Sequence, residues 1–303
     1  MSKKNIILFA TLVVFAQYLT AQSSKYILRM TDSIAKNPRN VRFYITRASH
    51  YRTAGYFDSA FTDINKAAQL EPKNAKVYGM RGSIYESLNN YTKAMADYTF
   101  AVSLEPRISD YYKKRSDLHV KMGNLKLAHR DIDSAIKYFP DYPMLLQDKA
   151  AIYEAEGNYE KAIACYNGAM YIQGFAQWEL FAKRGFCYAQ LKNYSKSIEE
   201  YTVYIDQYKK EGKDLQTFNL TPKAFLNRGL CYLLINDYEK GKNDFSDFIL
   251  LDNTDPSAYF LRANCHYMQN NIEAAKVDLK NAIRLDPTFE NAKALLNKLE
   301  NKN

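Results

Sequence analysis

Apolar and polar positions recur along this chain with a period of 34 residues. The segments Arg81-Gly82-Ser83-Ile84-Tyr85, Arg184-Gly185-Phe186-Cys187-Tyr188 and Arg228-Gly229-Leu230-Cys231-Tyr232 are copies of one pattern. Pro38, Pro72, Pro106 and Pro140 fall at a constant interval of 34. Self-similarity at such a period marks a repeat architecture, in which each unit is too small to bury its apolar face alone. Seven frames account for residues 41–289: 41–74, 75–108, 109–142, 143–176, 178–211, 222–255 and 256–289. Gln177 follows the fourth frame, and the stretch Gly212–Thr221 follows the fifth.

Each frame predicts two helices. Frame position 8 holds Ala48, Gly82, Ser116, Ala150, Gly185, Gly229 and Ala263, and position 20 holds Ala60, Ala94, Ala128, Ala162, Ser197, Gly241 and Ala275. Small residues at these two places allow two antiparallel helices to approach closely. Rings fill the space around the crossing: Tyr44, Tyr78, Tyr112, Phe181, Phe225 and Tyr259 at position 4, and Tyr51, Tyr85, Tyr153, Tyr188 and Tyr232 at position 11. Turn formers separate the helices, as in Gly55-Tyr56, Asn89-Asn90, Gly123-Asn124, Gly157-Asn158 and Asn270-Asn271. All eight prolines sit at two positions. Pro38, Pro72, Pro106, Pro140 and Pro287 stand at position 32, where the ring stops the second helix. Pro143, Pro222 and Pro256 stand at position 1, the favoured place for proline in a helix, with Thr221 and Asp255 as expected N-caps before two of them.

This pattern resembles the tetratricopeptide repeat over residues 41–303. Lys209, Asn253 and Gly174 stand where the position-32 proline is expected, Tyr or Phe replaces the Trp often found in the first helix, and His119 and His266 replace Tyr at position 11. The resemblance implies an all-α fold, a right-handed solenoid of antiparallel helix pairs, with the first helix of each pair lining a concave surface. The ends read as caps. Residues 22–40 hold one N-terminal capping helix, and 290–303 hold a C-terminal one. Stacked repeats need such polar-faced ends, because an uncapped end leaves an apolar face in water.

Residues 1–21 read as an export signal: Lys3 and Lys4, then a run from Ile6 to Ala16 in which every residue but Thr11 is apolar, then Leu19-Thr20-Ala21 before Gln22. The alternative is an uncleaved N-terminal anchor, although a span needs about 20 apolar residues. The mature chain, with no later stretch suited to a span, is expected outside the cytoplasm, periplasmic or secreted. The formal charge of +9 falls to +7 without the two leader lysines. That balance is mild for so long a chain and argues against a nucleic-acid partner. Low glycine and proline beside 26 Tyr and one Trp point to helices packed through rings.

Candidate chemistry mostly reduces to the module. Arg47, Arg81, Arg115, Lys149, Arg184, Arg228 and Arg262 occupy position 7, and Asp63, Asp97, Asp131, Glu200, Asp244 and Asp278 occupy position 23, where Cys165 is the exception. A feature repeated in nearly every module is read as one inter-helix ion pair per module, not as a charged track. Cys187, Cys231 and Cys265 share position 10 with Ile84, Leu118 and Ile152, so they read as small core residues. No CxxC or HxxxH pair suggests a metal, and no cofactor is expected. His50, His119, His129 and His266 do not converge, and no GxSxG, Walker-type or HExxH sequence is present, so no catalytic residue is assigned and the chain is read as not an enzyme. Asn90-Tyr91-Thr92, Asn193-Tyr194-Ser195 and Asn219-Leu220-Thr221 fit the glycosylation sequon, but the first two are also the ordinary module turn.

The expected function is a scaffold that holds a partner protein or peptide on its concave face. The alternatives are a nucleic-acid-binding helical repeat and an envelope enzyme or glycan binder with a dispersed site. One class of the family grips acidic chaperone tails with Lys and Asn at positions 5 and 9. No frame carries that pair, so the resemblance does not extend to that ligand. The expected partner site is Phe186, Ala189, Leu226, Leu230, Leu233, Phe260, Asn264 and Tyr267, at positions 5, 9 and 12 of the last three frames. In a helix these spacings form a stripe separate from the core stripe at 4, 8 and 11. The equivalent stripe of the first three frames is charged: Arg42, Arg52, Lys76, Glu86, Asp110, Lys113 and Asp117, counting position 2. The competing reading is that curvature or an inward Gly212–Thr221 insertion buries the apolar stripe.

Overall fold

A computed structural model describes residues 24–172, 178–211 and 220–301. The leader, Gln22, Gly174, Gln177, Asn219 and nearly all of the 212–221 insertion lie outside the described residues. Among the described residues the chain is entirely helical, and it divides after Asp141 into two compact units. The first unit contains α1 (24–36), α2 (Val41–Thr53), α3 (Phe57–Leu70), α4 (Ala75–Ser87), α5 (Tyr91–Leu104), α6 (Ser109–Lys121) and α7 (Leu125–Tyr138). The second contains α8 (Pro143–Ala155), α9 (Tyr159–Tyr171), α10 (Glu179–Gln190), α11 (Tyr194–Lys210), α12 (Thr221–Leu234), α13 (Tyr238–Leu251), α14 (Pro256–Met268), α15 (Ile272–Leu285) and α16 (Glu290–Glu300). Each frame supplies one antiparallel pair. Within a unit, the second helix of a pair also packs on the first helix of the next.

The crossing of each pair is set where backbone meets ring. Residues at positions 8 and 20 are buried throughout, including Ala48, Ala60, Ala94, Ala128, Ala150, Ala162, Ala263 and Ala275. The side chain pressed against position 8 is that of position 24. A Cβ placed on Gly82 would stand 2.7 Å from the Tyr98 ring, on Gly229 2.8 Å from Phe245, and on Gly185 3.2 Å from Tyr201. Every frame with glycine at position 8 thus carries a ring at position 24. Three of the four frames with Ala or Ser at position 8 carry Ile64, Ile132 or Leu279 instead, and Ala150 faces the fourth, Tyr166. In the sixth frame the backbones themselves meet, since a Cβ on Gly241 would lie 3.2 Å from the Gly229 carbonyl oxygen.

The turn between paired helices is built on one backbone position. Position 15 has positive φ in all seven frames: Gly55, Asn89, Gly123, Gly157, Lys192, Asn236 and Asn270. Glycine and asparagine tolerate this left-handed conformation, and Lys192 is the costly member of the set. Position 16 then caps the second helix. The side chains of Asn90, Asn158, Asn193 and Asp237 accept hydrogen bonds from the backbone N–H of Lys93, Lys161, Lys196 and Lys240. Two of the glycosylation-like asparagines, Asn90 and Asn193, therefore serve as N-caps. The second helices that precede Pro72, Pro106, Pro140 and Pro287 stop two residues before the ring. Lys209 imposes no such stop, and α11 runs on to Lys210 for a length of 17 residues. Asp255 caps α14 by accepting from the Ser257 N–H. Thr221 differs from its expected role: it is the first residue of α12, fully buried, and its hydroxyl turns to the Tyr204 phenol instead of capping.

Six modules carry the inter-helix ion pair. Arg47–Asp63, Arg81–Asp97, Arg115–Asp131, Arg184–Glu200, Arg228–Asp244 and Arg262–Asp278 all meet at 2.6–2.7 Å. Each is a two-pronged contact in which both Nε and an Nη donate to the carboxylate, the geometry that suits guanidinium best. The remaining Nη reaches position 25 of the preceding module: Thr31 for Arg47, Thr99 for Arg115, Asn167 for Arg184, Thr202 for Arg228 and Ser246 for Arg262. The arginine therefore ties its own pair together and staples that pair to its neighbour. Burial pushes Asp244 toward protonation, while Arg228 at 2.7 Å pulls it back toward the charged form.

Two outcomes follow from this packing. Gly82→Leu is expected to cost about 1–3 kcal/mol by overpacking against Tyr98. A second substitution, Tyr98→Leu, should recover part of that loss, as read by urea or thermal melting. Arg228→Ala should cost roughly 3–5 kcal/mol, because it leaves the Asp244 carboxylate buried without its partner. The double change Arg228→Met with Asp244→Leu should melt close to the native chain.

Candidate functional site

The first helices of successive modules lie side by side within each unit, α2 beside α4, and α10 beside α12 beside α14. The residues left over on these helices, once the core positions are buried, form the candidate site. In the second unit the apolar stripe is neither sealed nor fully open. Phe186 is 37% exposed and meets Tyr159 edge to face with ring centroids 6.1 Å apart. Ala189, Leu226, Leu230, Leu233, Phe260, Asn264 and Tyr267 are half-buried. Leu226 leans on the cluster formed by Tyr201, Tyr204, Phe225 and Phe248.

The eight residues do not play equal parts. Phe260 rests on Phe289, ring centroids 5.1 Å apart, and the Lys298 ammonium of α16 lies 5.5 Å from the Tyr267 ring. This end of the stripe is therefore partly occupied by the terminal helix. Asn264 spends its amide on the Phe260 carbonyl oxygen, at 2.9 Å. More exposed than any of the eight are two residues outside the expected set, Leu234 and Met268, each 55% exposed. Both stand at position 13, one residue beyond the stripe chosen from spacing. The signal was present in the sequence: position 13 reads Thr53, Ser87 and Lys121 in the first three frames, but Leu234 and Met268 in the last two.

The first unit's stripe is polar and largely satisfied within itself. Lys121 donates to Glu86 at 2.6 Å, the Tyr98 phenol donates to Glu86 at 2.9 Å, Lys113 pairs with Asp117 at 3.0 Å, and Arg52 donates to Ser87 at 3.3 Å. Burial alone would raise the Glu86 carboxyl, but the hydrogen bonds from Lys121 and Tyr98 outweigh it and hold the group below its ordinary value. Burial drives Tyr98 well above the usual phenol range. These groups already have partners, whereas among the described residues no ion pair engages Arg42 or Lys76 of the same stripe.

All four cysteines are free thiols, Cys165 half-buried and the other three buried. Burial raises Cys187, Cys231 and Cys265, the last to about 12, so these thiols are held in their un-ionised, weakly nucleophilic form. The Cys187 thiol and the Tyr166 phenol both donate to Glu154. Burial lowers His119 and His266 below the ordinary imidazole value, and each lies 3.8–3.9 Å from the carboxylate of its module's ion pair. Among the described residues no group of three His, Cys, Asp or Glu side chains is placed to hold a metal ion, and no helix is long and apolar enough to cross a membrane.

Comparison with known proteins completes the picture. Three family models described as tetratricopeptide repeat match residues 75–108, 113–174 and 256–289. The first and last of these spans are also the limits of the second and seventh frames. Among curated protein sequences no significant match is found. Among solved structures, a tetratricopeptide repeat protein from Parabacteroides merdae is similar, with 18% identity, TM-score 0.58, and coverage of 86% of this chain and 98% of that one. The PilF protein of Pseudomonas aeruginosa shows 14% identity and TM-score 0.59 over 74% of this chain and 97% of its own. A chain of the Cut9–Hcn1 hetero-tetramer shows 14% identity and TM-score 0.59 over 95% of this chain, which spans only 55% of that longer one. At these identities the likeness concerns the fold, a right-handed solenoid of helix pairs. With the repeat frame, its left-handed turns and the family matches in agreement, the chain belongs to the tetratricopeptide repeat family.

Proposed function

We propose that this protein is a non-catalytic interaction scaffold that works outside the cytoplasm and holds an apolar segment of a partner protein on the first-helix face of its second unit. The fold supports the coarser part of this reading, since stacked helix pairs present extended surfaces for proteins and peptides. The observation that carries the finer part is the run of exposed and half-exposed apolar side chains across α10, α12 and α14: Phe186, Leu230, Leu233, Leu234 and Met268. Apolar side chains left exposed on adjoining first helices give a partner apolar surface to cover. An amphipathic helix or an extended apolar segment has the matching chemistry. Export is supported by Lys3, Lys4 and the Ile6–Ala16 run, and the mature chain would then begin near Gln22.

Two measurements test this reading. Crosslinking in the native envelope should recover a discrete partner with the unaltered chain and not with Leu234→Asp combined with Met268→Asp. Both side chains are more than half exposed, so helical content by circular dichroism should be unchanged. Capture that survives in the folded double variant would move the site elsewhere. N-terminal sequencing of the exported protein should begin near Gln22, and an intact Met1 in a membrane fraction would favour the anchored form instead.

A further inference from the structure

A cleft of about 370 Å³ in the first unit is bounded by α5, by α7, and by α6, which packs against both. Met95 contributes from α5, Arg115 and His119 from α6, and Leu127 from α7. Such a volume falls within the roughly 300–1,000 Å³ of small-ligand pockets. The other modules show what belongs there, because the frame places equivalent residues at equivalent points. Position 11 holds tyrosine in five modules and His119 in this one. In the second module the Tyr85 ring rests on Phe61, position 21 of the preceding module, with centroids 4.9 Å apart. The Lys93 ammonium, from position 19, lies 5.4 Å from the centre of the same ring. Around His119 these two positions hold Met95 and Leu127. The walls of the cleft are therefore the third module's counterparts of the groups that enclose a ring in the second.

The pairing of a position-11 ring with a position-19 lysine recurs at Tyr153, Tyr188 and Tyr232, each with its lysine at 5.3–5.5 Å. In the third module both members change together, the ring to His119 and the lysine to Leu127. A shorter side chain thus stands where tyrosine fills the space elsewhere, and the cation that covers the ring is replaced by an apolar group. A second, independent observation points to a ligand. The His119 side chain is only 14% exposed, and its Nδ1 is buried with no hydrogen-bond partner among the described residues. Its Nε2 stands 3.8 Å from Asp131, beyond hydrogen-bond distance. His266, the other histidine at position 11, is placed differently. Position 21 before it is Lys242, paired with Glu239 at 2.6 Å, so the apolar wall is not repeated there.

We propose that this cleft receives a tyrosine side chain of a partner protein, its ring between Met95 and Leu127 and its hydroxyl hydrogen-bonded to His119. The entering ring takes the place that the chain's own tyrosine takes in five other modules. A phenol joins an apolar body to one polar tip, which matches two apolar walls and one unsatisfied ring nitrogen. An aliphatic side chain would leave that nitrogen buried and unpaired. An anion fits less well, because the Arg115 guanidinium is already held in two prongs by Asp131. The site belongs to a different unit and a different ligand from the apolar stripe on α10, α12 and α14, and is independent of it.

An NMR titration with N-acetyltyrosinamide tests this on the full chain, its methionines labelled at the methyl carbon and the Met95 resonance assigned by its loss in Met95→Leu. A lone side chain should bind weakly, with Kd in the roughly millimolar range. The Met95 resonance should shift saturably. N-acetylphenylalaninamide should bind about threefold or more weakly for want of the hydroxyl, and N-acetylleucinamide should give no saturable shift. His119→Tyr with Leu127→Lys rebuilds the enclosed pair of the second module. That variant should melt no lower than the native chain, and its Met95 resonance should no longer respond. Leu127 is 41% exposed, so Leu127→Asp should leave the melt unchanged and weaken tyrosinamide binding about threefold or more. No saturable shift in the native chain, equal binding of either comparison amide, full affinity in Leu127→Asp, or a response or lowered melt in the rebuilt variant would each overturn the proposal. So would a Met95 resonance that moves with protein concentration alone, which would make a second copy of this chain the occupant.

Discussion

The close approach of two helices at positions 8 and 20 is the constraint from which the rest of this structure follows. A 34-residue module is too small to possess an interior, so its stability depends on how tightly its two helices meet and how well the pair covers its neighbours. Glycine at position 8 removes the side chain where the Tyr98, Tyr201 or Phe245 ring must lie flat against the backbone. Where alanine takes that place, Ile64 and Leu279 suffice to fill the gap. In every module but the fourth, where Ala150 meets Tyr166, the two positions behave as one packing unit whose total volume is held while its division changes. This is how a core built of repeats tolerates different residues in successive copies.

Polar groups are subordinated to the same geometry. A guanidinium at position 7 can reach position 23 in two prongs only when the paired helices are close, and its remaining arm then finds position 25 of the preceding module. The acids that receive it are nearly sealed, with Asp63 and Asp278 3% exposed. Breaking such a contact strands a charge in a dry place, whereas replacing both partners by apolar groups need not. The repeated arginines and acids are thus consumed in holding modules together. They form no track along the surface, and the repeat's regularity, which copies the same group at each step, works against gathering different groups at one point as catalysis requires.

Function is left to positions that the module does not use. There the two units diverge: the first carries charged side chains, some of them paired as Lys121 is with Glu86 and Lys113 with Asp117, and the second carries Phe186, Leu230, Leu234 and Met268 in partial contact with water. Because the modules share one frame, comparing the same position across copies separates what the fold demands from what it permits. Position 8 hardly varies, whereas position 13 runs from Thr53 to Met268.

The fold was legible in the amino-acid sequence because a repeat writes its packing rules seven times, and small residues, turn formers and prolines at fixed places leave one consistent frame. Helix pairs, the place of their turns and the role of the Arg–Asp pairs could all be read from that redundancy. Other features were decided by tertiary contact. The pairing of Gly82 with Tyr98 joins residues sixteen apart in sequence whose contact depends on the crossing of two helices. The link from each arginine to the preceding module depends on how one pair stacks on the next. Thr221 sits before a proline as an N-cap should, yet the Tyr204 phenol draws it into the core. The candidate site shows the same division. Spacing along one helix identifies a stripe, but whether a side chain on it stays free is set by what lands on it from elsewhere. Phe289 and Lys298 come to rest against Phe260 and Tyr267, while Leu234 and Met268 remain more than half exposed, because exposure is a property of neighbouring helices and not of the helix that carries the residue.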